Sequence, residues 1–572
     1  MSEEASKLPK DIAAAEGKVN VQINGTWHRF PRGTRIADAC RSVGVPIPCF
    51  CYHPKLAVAG SCRMCMVEQG MPPRLAPGQT PSYDENGYQR IQWMPRPIIS
   101  CANTVAENMG IRTDSPLASE ARRGVMEFLL TSHPLDCPIC DQAGECKLQE
   151  YSNDYGQVEG RFEEKKTKKG KNLSIGPRVN LDQERCVRFM RDIMHDEVLT
   201  MSQRGTFNAI TVYPGRELDS NYSMNTVDLC PVGALTSKDF RFKMRVWFLK
   251  ETKTIDVDCG TGTNITLWTR EDKVYRITPR QNDAVNSCWM PDSHRLNYKY
   301  INAETRIPQP VIRTDAEAPP RPSTWEPALA SAAEAVKRIA PNQLAIIASG
   351  RMTNEELYMV RHLAAQIGTD MVDIVPRMGE SDGMLISADR NPNTNGARLV
   401  LGIEPGSRLD AIREGVRSGS VKGILTLGED LTSPEAGFTA EELDKLDYLF
   451  MTAHSANETA RHADLVLPGV TYAEKFGTMI NVTGRIQRLN RAIQPIGYAR
   501  DDWQIFRDIT LLLGGNPALK NFNSALDILT AMSTEYGALN GVSWGSIGDG
   551  GQPILETGVT IPVVEREKNQ GR

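Results

Sequence analysis

The sequence predicts a multidomain chain, α+β over its first 250 residues and α/β beyond. Three observations carry this. At 572 residues the chain is longer than one domain of roughly 100–200 residues. Eleven of its thirteen cysteines fall before residue 231, mostly in tight groups. Beyond residue 322, short apolar runs alternate with helical patterns, which argues for a mostly parallel sheet with helices on both faces.

The formal net charge is −4, so charge gives no case for nucleic acid or an anionic membrane surface. Residues 1–18 are polar and charged and carry no signal-peptide pattern. No run of 18 apolar residues is present, and membrane contact is expected only through a larger assembly. In a reducing cytosol, grouped cysteines read as metal ligands rather than disulfides.

Residues 1–17 read as a flexible arm. Val19, Val21 and Ile23 alternate with polar residues, Asn24-Gly25 makes a tight turn, and Thr26–Phe30 returns as a second strand. Thr34 is placed to cap a helix with Ile36, Ala39, Cys40 and Val43 on its apolar face, stopped by Gly44. A hairpin, a helix and then a cysteine loop is how a ferredoxin-like β-grasp domain opens.

That loop reads Cys51-x10-Cys62-x2-Cys65, and Cys101 follows a Pro-rich insert. A [2Fe–2S] cluster needs four thiolates, and Gly60 lets backbone come close to one. Spacing alone leaves a zinc knuckle or buried free thiols open beside this reading. Cys40 reads as core, and Cys49 as structural rather than ligating. The helix expected over Ser119–Thr131 delivers His133-x3-Cys137-x2-Cys140-x5-Cys146. Three thiolates and an imidazole can complete a [4Fe–4S] cube; a zinc site with the same four ligands is the competitor.

Here a family resemblance enters. GSCRMCMVE, HPLDCPICDQAGECKLQ, DLCPVGALTSK and HADLVLPGVTYAEKFGTMINVTGRIQ stand in order in the chain. Together they resemble the G subunit of bacterial NADH-quinone oxidoreductase, the large iron–sulfur subunit of respiratory complex I. The resemblance covers roughly residues 18–515. It implies a [2Fe–2S] ferredoxin-type domain over 18–103. A [4Fe–4S] domain with one histidine and three cysteine ligands would span 104–160, and a [4Fe–4S] ferredoxin-like module 161–250. A small β-rich module over 251–310 follows, then a molybdopterin-oxidoreductase-like α/β domain over 311–540 and a peripheral tail over 541–572. The resemblance implies an electron relay with no active site of its own. Electrons would pass from an NADH-binding flavin subunit toward quinone-side iron–sulfur subunits, in the cytoplasm on the inner face of the membrane.

The sequence departs from that family at two places. The ferredoxin-like module is expected to carry Arg-Cys-x2-Cys-x2-Cys-Val-Arg-Phe, closed by Cys-Pro. Here only Cys186 stands in the first stretch, and Cys230-Pro231 closes it. Two thiolates do not hold a four-iron cube. Asn180 and Gln183, at the missing spacing, are amides and poor iron ligands. His195 is the one neighbouring side chain able to substitute. Cys186 and Cys230 are therefore expected to be a remnant, the second [4Fe–4S] cluster absent or badly held, and Val187, Met190, Met194 and Val198 a surviving helix. Some members also carry Cys-x2-Cys-x3-Cys at the start of the next domain. Here it reads Asp256, Cys259 and Thr263, with Pro291 at the distant fourth position and Cys288 off register.

In the second half Pro308–Pro322 reads as a linker. Leu344–Ala348 is expected as a buried strand, and Thr353-x2-Glu356 as a capping box on a helix ending at Gly368. Leu399–Leu401, Gly423–Leu427, Tyr448–Thr452 and Asp464–Leu467 are further apolar runs. No pterin-ligating cysteine stands at a strand end, and molybdopterin is not expected. His454 and His462 read as packing residues. The alternatives are the large subunit of a formate dehydrogenase-like enzyme or of an NAD-linked hydrogenase complex, and a degenerate scaffold.

Overall fold

Alternation writes the first hairpin. In β1 (Lys18–Ile23) the apolar residues Val19, Val21 and Ile23 are buried. β1 pairs with β2 (Thr26–Pro31) across Asn24 and Gly25, both at positive φ, the conformation a two-residue hairpin needs. The helix Ile36–Ser42 follows. Thr34 does not cap it: its hydroxyl donates to the Pro31 carbonyl, and Arg35 holds the cap position without a side-chain hydrogen bond. In this computed structural model the described residues are 17–84, 87–166, 172–181, 188–203, 209–313 and 319–569. The chain divides into two units, Met1–Val246 and Trp247–Arg572.

In the first unit, β3 (Met66–Met71), β4 (Gln92–Trp93), β5 (Ile98–Ile99) and β6 (Met109–Arg112) join the hairpin. The sheet order is β2-β1-β6-β3-β4, with β5 on β3 and β1 parallel to β6. The helix packs Ile36, Ala39 and Cys40 into a core with Val21, Val67 and Ile111; Cys40 is core, as its position on the apolar helix face suggests. The next helix runs Pro116–Thr131. It starts three residues before the apolar pattern because Ser115 caps it and Pro116 opens it. A short helix, Lys147–Tyr155, follows the second cysteine group.

β7 (Leu173–Ser174) and β8 (Val179–Leu181) precede the helix Arg188–Asp192, and β9 (Leu199–Ser202) and β10 (Ala209–Val212) pair antiparallel. The helix expected to continue through Val198 stops at Asp192. His195 takes a positive φ, and Val198 leads into β9 instead. Asn225–Leu229 is helical, and β11 (Leu235–Ser237) closes a three-stranded sheet with β8 and β7.

The second unit opens with a meander of β12 (Lys250–Ile255), β13 (Asn264–Arg270) and β14 (Lys273–Pro279). Residues 308–322, expected as a plain linker, supply two short strands, β15 (Val311–Ile312) and the edge strand β16 (Arg321–Pro322). They extend a sheet of β17 (Leu344–Ala348), β18 (Val372–Ile374), β19 (Gly423–Leu427), β20 (Tyr448–Ala453) and β21 (Leu465–Pro468). The order is β16-β15-β21-β20-β19-β17-β18, parallel from β21 to β18. Alternate strand residues feed two cores: Leu344, Ile346 and Phe450 on one face, Ala345, Ile347 and Met451 on the other. A sheet covered on both faces explains strands apolar throughout.

The capping box of Thr353 and Glu356 opens the helix Asn354–Ile367, and Gly368 ends it at positive φ. Leu399–Leu401 is the last turn of a helix, Thr394–Leu401. Three apolar residues in a row do not distinguish a helix end from a short strand. β22 (Gly477–Ile480), β23 (Arg485–Leu489) and β24 (Gln552–Pro553) make a last sheet. The segment expected as a peripheral tail thus contributes a strand, and it buries Val563 and Val564.

Candidate iron–sulfur sites

The first site is built at one end of β3 and β5. Cys65 directly precedes β3, and Cys101 follows β5 by one residue. The Ser100 amide and hydroxyl both donate to the Cys65 carbonyl, at 3.1 and 2.8 Å, which locks the two cysteines side by side. Cys51 and Cys62 arrive on a loop whose tight return is made by Gly60 and Arg63, both at positive φ. The four thiols form one hydrogen-bonded chain, Cys62–Cys51–Cys101–Cys65. The hydrogen bond from Cys101 pulls Cys65 down to about 6 and holds Cys51 well below the usual thiol range. Cys62 and Cys101 are pushed up, each first by its hydrogen bond to Cys51. Thiols held this close favour losing protons to a shared metal centre. Cys49 is half-buried with its sulfur 4.0 Å from the Tyr52 carbonyl, and burial pushes its thiol up.

Sequence reasoning missed the groups that brace this loop. Arg188 donates to the carbonyls of Cys51 and Ala57, and the Ala57 amide donates to Asp192 at 3.2 Å. The short helix of the third module therefore clasps the cysteine loop of the first. Buried Arg122 donates to the Met66 carbonyl at 3.0 Å. A lone arginine in a polar stretch gives no sequence signal for such a contact.

The second site is a tight cysteine loop. The Cys140 amide donates to the Asp136 carbonyl at 2.7 Å, and Arg245 ties down the carbonyls of Pro138 and Cys140. Cys146 is the cap residue of helix Lys147–Tyr155. Burial pushes its thiol up, while the amides of Gln149 and Leu148 pull it down. Burial likewise raises Cys140, with charge on Cys146 and Cys137 adding to it. His133 and Cys137 line one cavity of ≈ 450 Å³ with Leu130, Leu148 and Ser152. His133, Cys137, Cys140 and Cys146 are the residues the His-x3-Cys-x2-Cys-x5-Cys spacing selects; of these, His133 and Cys137 share the cavity, and charge on Cys137 and Cys146 reaches Cys140.

Cys230 is buried, its thiol donating to the Val232 carbonyl at 2.8 Å. Its turn abuts the second site. The Lys147 amide donates to the Pro231 carbonyl at 3.1 Å, and a Cβ on Gly233 would lie 2.4 Å from the Cys140 sulfur. Cys186 and Gln183 lie outside the described residues. His195 is exposed. His454 is half-buried, its Nδ1 2.8 Å from the Ser455 hydroxyl, and His462 pairs with Asp444 at 2.6 Å.

Comparison with known proteins follows the same order along the chain. Residues 16–116 match a 2Fe-2S iron-sulfur cluster binding domain, and 122–161 match the NADH-ubiquinone oxidoreductase-G iron-sulfur binding region. Residues 181–236 match the ferredoxin-like domain of NADH-quinone oxidoreductase subunit 3. Residues 249–299 match the NDSU1/NuoG-like 4Fe-4S domain of NADH-ubiquinone oxidoreductase, and 380–510 match the molybdopterin oxidoreductase family. The 78 kDa subunit of mitochondrial NADH-ubiquinone oxidoreductase from Neurospora crassa is 30% identical, over 89% of this chain and 82% of its own. The G subunit of NADH-quinone oxidoreductase from Rickettsia felis is 30% identical over 86% and 87%. The Solanum tuberosum mitochondrial iron-sulfur protein 1 is 38% identical over 65% and 47%.

Proposed function

The chain belongs to the family of the large iron–sulfur (G) subunit of NADH-quinone oxidoreductase, and from that premise we propose which residues hold its clusters and how many it carries. It is an iron–sulfur electron-transfer subunit of that oxidoreductase. Cys51, Cys62, Cys65 and Cys101 hold one [2Fe–2S] cluster, and His133, Cys137, Cys140 and Cys146 hold one [4Fe–4S] cluster. When bound, such clusters accept and release single electrons. The protein supplies the rest: buried thiols, backbone amides facing the sulfurs, and arginines that fix the loops. The observation that carries this reading is the convergence of four thiols into one hydrogen-bonded chain between β3 and β5.

The ferredoxin-like module carries no second cubane, because residues 181–236 contain only Cys186 and Cys230. Electrons enter from an NADH-oxidising flavin subunit at the [2Fe–2S] site and leave toward quinone-side iron–sulfur subunits. The chain sits peripherally on the inner face of the membrane as part of that complex; among the described residues no helix is long and apolar enough to cross a membrane. Anaerobic purification with iron counting and electron paramagnetic resonance tests the reading. It expects about six irons and two cluster signals per chain. About ten irons with two four-iron signals would restore the second cubane. A colourless, iron-free protein would leave only the scaffold alternative.

A further inference from the structure

The segment that matches a 4Fe-4S domain, residues 249–299, does not carry the ligands for one. It holds two cysteines, Cys259 and Cys288, and a cubane needs four ligands. The structure shows what those positions have become. Asp256 and Cys259 keep the x2 step of a ligand pair, on the loop that leaves β12. His294 comes from the short helix Asp292–Arg295. One oxygen of Asp256, the Cys259 sulfur and one ring nitrogen of His294 all lie within 4.8 Å of one another, and all three residues are buried.

A buried Asp–His pair by itself is a common packing device, and here Asp256 Oδ2 lies 2.7 Å from His294 Nδ1. Two further facts go beyond that. Cys259 is fully buried, and its thiol donates to the Leu385 carbonyl at 3.7 Å. Thr263 is 1% exposed, and its hydroxyl finds no hydrogen-bond partner among the described residues. The strand register that pairs Ile255 with Asn264 continues through the Asp256 amide to the Thr263 carbonyl at 2.8 Å. Residues directly opposite across two strands project to the same side, so the orphaned hydroxyl belongs to the face that carries Asp256. One carboxylate and one thiol are therefore gathered around one imidazole.

We infer that Asp256, Cys259 and His294 form a mononuclear site for a divalent metal of the zinc class, its fourth position a water that Thr263 receives by hydrogen bond. One thiolate, one imidazole and one carboxylate suit zinc and disfavour magnesium or calcium. Tetrahedral bonds of this kind set the ligand atoms about 3.3–3.7 Å apart. The Asp256–His294 contact then opens by about half an ångström as the metal replaces the shared proton. Such a site ties the β12–β13 loop to the helix after β14 and takes over the staple a cluster would have made.

The test uses the full chain, purified anaerobically with its clusters and supplied with zinc chloride alone. Zinc and iron are counted together, and zinc X-ray absorption reports the donors. The expected result is about one zinc per chain, bound to one sulfur and otherwise nitrogen and oxygen. Cys259→Ser and His294→Ala each lose that zinc, while iron content and both cluster signals stay unchanged. Asp256→Asn, which keeps a hydrogen bond to His294, guards against misfolding; it should weaken zinc at least tenfold with an unaltered circular dichroism spectrum. Zinc absent from the wild type, or equal in wild type and all three variants, overturns the site. Iron that falls with Cys259→Ser also overturns it, by placing a cluster there. Because iron and zinc are read separately, failure of this site and failure of the relay reading give different results.

Discussion

Single atoms decide the two proposed cluster sites. Cys101 sits at the centre of the thiol chain, bonded to both Cys51 and Cys65. Cys101→Ser should remove about two irons and the [2Fe–2S] resonance while the four-iron signal remains; loss of both signals would mean the sites are not independent. A second prediction concerns Glu355, which is fully buried and accepts from the Thr478 amide and hydroxyl at 2.8 Å each. Burial pushes its carboxyl up from 4.5 to about 7. The folded state therefore binds this proton more tightly than the unfolded chain. The stability it contributes is complete below pH 4.5 and is lost as pH rises toward 7. In Glu355→Gln an amide can accept from the Thr478 amide and donate to its hydroxyl oxygen. The variant should gain up to about 3 kcal/mol on wild type between pH 5 and pH 8. Calorimetry across that range checks it; a constant difference would show that Glu355 does not titrate there.

At the scale of elements, the sites are made rigid by pieces far away in sequence. The turn Cys230–Gly233 lies against the second cysteine loop, and the helix Arg188–Asp192 clasps the first. Gly233 has an ordinary backbone conformation, so a side chain there acts through space alone. Gly233→Ala would drive a methyl to 2.4 Å from the Cys140 sulfur. It should lower four-iron occupancy at least severalfold and leave the [2Fe–2S] signal intact. Iron counting with resonance on the same sample checks this, and an unperturbed four-iron signal would show that the turn yields. Elements were legible where their pattern was long or their chemistry local. The first hairpin, the capping box at Thr353 and the buried strands of the parallel sheet all follow from residues in hand. Thr34 and Leu399–Leu401 misled because a cap residue or three apolar side chains fit more than one local geometry.

At the scale of the molecule, the second unit holds two hydrophobic cores around its own seven-stranded sheet. Residues 247–572 alone should therefore fold, with one cooperative thermal transition and no iron. A molten spectrum without a transition would show that they need the first unit. Cysteine spacing in the linear chain marked the ligand groups proposed for iron, because thiols a few residues apart stay close whatever surrounds them. Apolar alternation likewise determined the first hairpin, and apolar runs between helical stretches the parallel sheet. The chain could not announce what comes together across long separations. Arg188 on the Cys51 loop, Gly233 on Cys140, and His294 beside Asp256 and Cys259 are each ordinary residues until the fold juxtaposes them. Local hydrogen bonding and periodicity are written into consecutive residues, whereas these contacts exist only once the chain has closed on itself.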